Sequence, residues 1–454
     1  MKYSMLIMFI LLAFNSFVVA KDESNTMQNL SQEVKDFYDI QPLSLDKLEQ
    51  NLYIWGVGLN YPKSNFYDIG RKVVQANYAL GQEMQSGVLD IWGMQKKAER
   101  ISLYLQDNEA LLNFYHPFIA ENSRKSINRC NRYNDHDCIQ KTIADETQIR
   151  VLNDKNKELQ QRYEDISKYI DKSVGYFHPY SFASSAYPDM ASVIRLLDLD
   201  AANAVLELYY GDRTKAIERL SRINFFANIE HHGALTMPLL QLNIQQALNQ
   251  TINALLDQQL LDAGDPFLTK LYSQDIERFR LKLQQSLRWQ AKITTQNNLY
   301  LYQDYKSRLM DLVHDDAIAL AAENDVANRL YEYYQRYEDL LIQENITVES
   351  FQKIVPYIEG VPFNVYLISP YEYLKQAQYQ QAYEKLLRTK IRILKGDRLP
   401  VDDIVQLDEL NSRLYIHLDD ELEFGSPLLP QPMRWFDANQ PFLSLLEVAI
   451  PNVK

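Results

Sequence analysis

The sequence predicts an all-α protein: helical hairpins in an α-α bundle or irregular solenoid, with a short C-terminal β-hairpin. Glycine is scarce at 13 and proline modest at 16 in 454 residues, while Leu, Gln, Ala, Glu, Lys and Tyr recur, which suits long helices with short connections. Apolar residues return at three- and four-residue spacing through several long segments. An apolar content of 46% is ample for a packed core. The length allows two or three domains, divided here into a signal at 1–20, a helical domain at 21–175, a helical-hairpin domain at 189–426 and a Pro-rich tail at 427–454.

Taken in order, Met1 to Ala20 reads as a secretory signal. Lys2 precedes an apolar run, and Val18-Val19-Ala20 supplies the residues that a signal peptidase reads. Asn15 and Ser16 interrupt the run and polar Lys21 to Asn25 follow it, so a cleaved signal fits better than a retained anchor. Lipid anchoring would need a cysteine just after the apolar run, and the two cysteines are Cys130 and Cys138. No later segment reaches the length of a membrane span, and the expected location is the periplasm. The 47 basic against 60 acidic residues argue against a nucleic-acid partner.

Asn51 to Gly58 is an apolar run punctuated by glycines that permit close backbone packing. A loop at Tyr61 to Asn65 leads into a helix from about Phe66, with Ile69, Val73, Val74 and Ala76 toward one side. Gly87 to Gly93 breaks it, and Lys96 to Phe114 reads as another helix, ended by His116-Pro117. Cys130 and Cys138 close a polar loop. In an oxidising compartment they most simply pair, whereas a metal site using Cys130, His136 and Cys138 lacks the second ligand pair that structural zinc wants. Ile139 to Ile170 reads as an exposed, charged helix with a narrow apolar seam and ion pairs four residues apart. Gly175 to Pro188 is the best interior boundary.

From Leu199 to Phe226 the apolar pattern runs through Tyr209-Tyr210-Gly211-Asp212-Arg213, then Ala216, Ile217 and Leu220. A glycine at a helix end followed by small and large apolar residues gives a tight helix-turn-helix. This resembles the inner half of a tetratricopeptide repeat, and Ala204 falls where that family places its small residue in the first helix. Leu374, Ala377, Ala382, Glu384 and Leu386 repeat the spacing of Leu208, Gly211, Ala216, Glu218 and Leu220. Their offset of 166 residues is no multiple of the repeat period of about 34, so two hairpins within a broader α fold are expected rather than a tandem array. Between them, Leu239 to Leu261, Asp275 to Leu312 and Asp315 to Gln343 read as long amphipathic helices. Pro356 to Pro370 reads as an extended connection.

After Pro427, Met433 to Phe436 and Phe442 to Leu445 flank Asp437 to Gln440 in the pattern of a β-hairpin. This ending, the Asn51 to Arg71 segment and the Gly211 to Leu220 turn resemble uncharacterised exported proteins of Gram-negative bacteria. The resemblance implies an envelope location and no particular activity.

Motifs whose spacing has a mechanism are missing: there is no phosphate-binding glycine loop, H-E-x-x-H, G-x-S-x-G or EF-hand loop. Ser44 and Lys47 match S-x-x-K without its companion elements. Glu230-His231-His232-Gly233 suits a helix terminus or surface, since adjacent helical residues point about 100° apart. Asp311, His314 and Asp315 share a helical face but lack a partner helix with further ligands. No cofactor or metal is expected.

The function expected is a non-enzymatic interaction or scaffold protein for a protein or peptide partner in the envelope, with a groove near Tyr209, Tyr210, Gly211 and Tyr379. A cell-wall hydrolase with two isolated carboxylates and an immunity protein against a periplasmic toxin are the alternatives. The 31 tyrosines are expected mostly at helix interfaces, ring inside and hydroxyl at the rim.

Overall fold

The computed structural model describes residues 30–38, 51–59, 66–83, 137–170, 175–177, 190–233, 236–272, 275–309, 316–342, 370–397, 405–408, 413–417 and 445–449. The fold is all-α, with five short strands among the described residues. The first helices are α1 (Gln32–Tyr38), α2 (Leu52–Gly58) and α3 (Phe66–Glu83). Then come α4 (Cys138–Ala144), α5 (Glu146–Lys155) and α6 (Lys157–Glu164). The long helices follow: α7 (Met190–Tyr209), α8 (Arg213–Asn228), α9 (Thr236–Asp257), α10 (Ile276–Leu309), α11 (Asp316–Ile342) and α12 (Pro370–Leu394). No helix among the described residues is long and apolar enough to cross a membrane.

Helices α2 and α3 cross at glycines. Asn51 caps α2, its side chain accepting from the Tyr53 amide at 3.0 Å. A Cβ on Gly70 would lie 2.9 Å from the Gly58 nitrogen and would collide with the Ile54 carbonyl oxygen. The close packing expected of the Asn51–Gly58 glycines thus holds at Gly58, and its partner Gly70 is one that the sequence pattern did not single out. Trp55 of α2 is buried and its indole donates to the Arg162 carbonyl at 3.2 Å.

The charged stretch from 139 to 170 differs from the single exposed helix expected. It forms α4, α5 and α6 with turns at Asp145 and Asn156, then a 3-10 turn at Asp165–Tyr169. Asn156 sends its side-chain amide back to the Leu152 carbonyl at 2.7 Å, satisfying a terminal acceptor and ending α5. The ion pairs four residues apart do form, at Glu146–Arg150 and Glu158–Arg162. Arg162 is buried, however, and also donates to the Leu59 carbonyl at 3.1 Å, so this face is covered rather than solvated.

Helices α7 and α8 form the hairpin that the sequence describes. Gly211 holds φ at +86°, a conformation that glycine adopts at little cost, and Asp212 caps α8 through the Lys215 amide. Ala204, Ala216 and Leu220 are fully buried. Helix α7 is apolar nearly all round because it is covered twice. Leu199, Ala202 and Leu206 meet Ile149 and Leu152 of α5. Val193, Leu196, Val205 and Leu208 face the main core. That core draws residues from both sides of the 175–188 segment, and β1 (Gly175–Phe177) pairs in parallel with β2 (Glu230–His232).

The second hairpin does not form: α12 runs unbroken from Pro370 to Leu394 through Ala377, which is fully buried. Alanine in Gly211's place carries a Cβ that penalises the left-handed turn, and it is the best helix former. The three long helices expected between the two copies are present as α9, α10 and α11.

At the C-terminus β3 (Gln406–Asp408), β4 (Arg413–His417) and β5 (Leu445–Ala449) make an antiparallel sheet in that order. The expected hairpin of 433–436 with 442–445 falls mostly outside the described residues, and within them Leu446 and Val448 of β5 lie opposite Ile416 and Leu414 of β4. Leu414 is the inward residue, packed on Tyr379, Tyr383 and Leu386 of α12. Residues 433–436, the 96–114 helix and the 356–369 connection lie outside the described residues.

Candidate functional site

The tip of the α7–α8 hairpin is the most exposed aromatic feature among the described residues. Tyr209 and Tyr210 are 50% and 60% exposed, with ring centroids 5.2 Å apart in an edge-to-face arrangement. The Tyr210 hydroxyl donates to Glu146 Oε2 at 2.6 Å, and Arg150 Nε donates to Oε1 of the same carboxylate at 2.7 Å. The Tyr210 bond, and then Arg150, hold the Glu146 carboxyl below its ordinary range. Gly211 is exposed beside them.

Tyr379 requires a correction. It is 5% exposed, sealed beneath β4, and burial pushes its phenol well above the ordinary range. It belongs to the core under the C-terminal sheet and does not line an open groove with Tyr209 and Tyr210. The physical reason is the covering strand, which the sequence did not reveal at 413–417. Tyr38, Tyr334 and Tyr373 sit between helices at α1, α11 and α12 as expected, but they are buried whole, hydroxyl included, rather than with the hydroxyl at the rim.

Behind the tip, the hairpin is held by a buried ionic lock. Asp200 of α7 accepts from Arg222 Nε at 2.9 Å and Nη2 at 3.0 Å, and from Arg219 Nη1 at 2.8 Å. Arg219 also forks onto Glu207, while Arg222 reaches Ser167 and Glu218 and lies over the Tyr163 ring. Burial works against the Arg222 charge, but the Asp200 hydrogen bonds and charge overcome it and raise its pKa. Asp200 and the Arg219/Arg222 pair went unnoticed in the sequence. The available signal was an acid in the apolar Leu196–Val205 stretch, facing two arginines three residues apart.

His231 and His232 are strand residues rather than helix-terminal ones. His231 is buried, with Nε2 2.8 Å from Gln241 Oε1, and Gln241 in turn donates to the Ala227 carbonyl at 2.8 Å. No group of three or more His, Cys, Asp or Glu among the described residues could hold a metal ion. Ser44, Lys47, Cys130, His136, Asp311, His314 and Asp315 lie outside the described residues. Cys138 is buried at the start of α4.

One ionisable group within the core is out of keeping with its surroundings. Lys282 of α10 is 7% exposed on the stripe that carries Phe279, Leu283 and Leu287. Burial, then the nearby Arg278 charge, pull its pKa down to about 8, with Glu230 pulling the other way. Charging it in the folded state costs about 3 kcal/mol at neutral pH. Lys282→Met is therefore expected to be more stable than the parent at pH 7 by up to about that amount. Between pH 8 and 10.5 the unfolded chain binds the proton more tightly than the folded one, so the parent gains stability with rising pH and the gap closes. Urea unfolding of both proteins at pH 7 and pH 10 measures this; an equal gap at the two values would contradict it.

The chain matches no protein-family model, no curated protein and no solved structure in the three comparisons made.

Proposed function

We propose that the chain is an exported periplasmic protein that binds a protein or peptide partner in the envelope, as a scaffold or interaction module without chemistry of its own. The observation that carries this reading is the Tyr209–Tyr210 pair, two large rings exposed on a turn whose helices are fixed by the Asp200–Arg219–Arg222 lock. Aromatic side chains held on a rigid support supply contact area at low entropic cost, which is why Tyr is enriched at binding hot spots. The Met1–Ala20 signal and the Cys130–Cys138 bridge belong to the same reading. The bridge is supported by the burial of Cys138 and by the lack of a free cysteine among the described residues.

The test places a photo-crosslinking residue at position 210 of the full chain in the producing cell, with a second probe at exposed Lys168 as control. One discrete adduct from position 210, lost in Tyr209→Ala, is expected, and the periplasmic fraction should contain the chain beginning at Lys21. No adduct at 210, or the same adducts at 168, would overturn the reading.

A further inference from the structure

Helix α10 buries Lys282 and Ser286 one turn apart on the same stripe. Among the described residues the Lys282 amine makes no hydrogen bond or ion pair, and the Ser286 hydroxyl, on a residue 1% exposed, has no hydrogen-bond partner. A third orphan lies on α12, where Tyr373 is 1% exposed and its hydroxyl is also unpartnered. Buried polar groups are nearly always satisfied, so two such donors call for an explanation.

Helical rise counted from one inter-helix anchor puts the three residues at a similar level. Arg388 near the end of α12 donates to the carbonyls of Leu271 and Tyr272, each at 3.0 Å, just before α10 begins. Helices α10 and α12 pack against each other, and α10 leaves that anchor where α12 nears its end. At 1.5 Å per residue, Ser286 and Tyr373 each lie roughly 20 Å along from it. Helix α9 closes the third side, parallel to α12, through Gln376 on Asn243 at 3.4 Å and Lys390 on Asn253 at 2.6 Å. Seen down α10, Arg288, which pairs with Glu338 of α11, lies on the opposite side of the stripe from Lys282 and Ser286. The charges that act on Lys282 are Arg278 on its own helix and Glu230 on β2.

We propose that Lys282 is a modification site that takes up carbon dioxide as a carbamate, whose oxygens accept hydrogen bonds from the buried hydroxyls of Ser286 and Tyr373. The neutral amine attacks the carbon of CO2; the new C–N bond forms as one C–O π pair moves to oxygen. The nitrogen then releases one proton to water, so that amine and CO2 give carbamate and a proton. Three features suit that product. A planar anion with two acceptor oxygens supplies what two orphan O–H donors lack. The Arg278 charge favours an anion where it disfavours an ammonium, although Glu230 opposes this. CO2 is also small enough to reach a residue that is 7% exposed without a cleft. With a pKa of about 8, a useful fraction of the amine is neutral near physiological pH. Lys282 and Ser286 have Cβ atoms about 5–6 Å apart, within reach of the lysine stem.

The experiment equilibrates the full chain with 13C-bicarbonate, traps carbamates by O-ethylation with triethyloxonium, and maps the adduct by peptide mass. Lys282 should carry the label well above exposed Lys168 and Lys215. Ser286→Ala and Tyr373→Phe should each lower its occupancy about tenfold, the loss of one hydrogen bond to a charged group. Both variants only remove an unpartnered hydroxyl, so circular dichroism should report an unchanged fold. Label on Lys282 no higher than on Lys168, or undiminished in both folded variants, would overturn the proposal.

Discussion

Asp200→Ala is expected to lower the unfolding free energy by about 3–5 kcal/mol, the cost of removing one partner from a buried, hydrogen-bonded ion pair. The carboxylate is 3% exposed and answers three N–H donors from two arginines. Arg219 keeps Glu207, but Arg222 is 2% exposed, and the partners left to it are Glu218 on the rim and the Ser167 hydroxyl. Burial and satisfaction are therefore uncoupled at one residue. A further substitution separates the pair's worth from the cost of breaking it. Asp200→Leu combined with Arg222→Met should recover much of the loss, because apolar groups of similar volume often replace a buried ion pair at little cost. Urea titration of the parent, the single and the double variant measures this. A single variant within about 1 kcal/mol of the parent, the size of an ordinary surface pair, would mean that the lock is not desolvated.

Gly70→Ala is expected to be destabilising by about 3 kcal/mol, the upper end for overpacking, where the same change in an exposed mid-helix position would stabilise by nearly 1 kcal/mol. The sign reverses because the new methyl meets backbone rather than a side chain that can rotate away. It would sit 3.0 Å from Gly58 Cα and against the Ile54 carbonyl oxygen. Gly58→Ala should behave alike, meeting the Phe66 carbonyl and lying 3.4 Å from Gly70 Cα. Relief requires α2 and α3 to separate, which would pull Trp55 from its contacts with Tyr163 and Phe226. Amide hydrogen exchange should accelerate first in residues 52–58 and 66–74. A variant as stable as the parent, with unchanged exchange there, would show that the crossing is looser than described.

Legibility in the sequence followed the range of the interactions involved. The hairpin at Gly211 was readable because its determinants are local: a residue free to take φ of +86°, a cap one position later, and small residues at fixed spacing. Its apparent copy at Ala377 shared the spacing without the glycine, and the helix simply continued. The long helices α9, α10 and α11 were legible from periodicity alone. Strand β4 was not, because five residues with Leu414 and Ile416 alternating are too short a signal, and their partner lies some thirty positions on.

The candidate site was legible in halves. Tyr209 and Tyr210 flank a turn, and exposure follows from that; Tyr379 looked equivalent until a strand covered it.

The sequence by itself determined the helical class, the acidic charge, the export signal as an expectation, and the α7–α8 turn, all of which depend on composition or on residues a few positions apart. Tertiary structure alone decided which tyrosines face solvent, which glycines touch, that Asp200 meets Arg219 and Arg222, and that Lys282 lies buried with no partner among the described residues. Each of these depends on the low dielectric and close packing created when distant segments meet, and neither property belongs to any stretch of the chain taken singly.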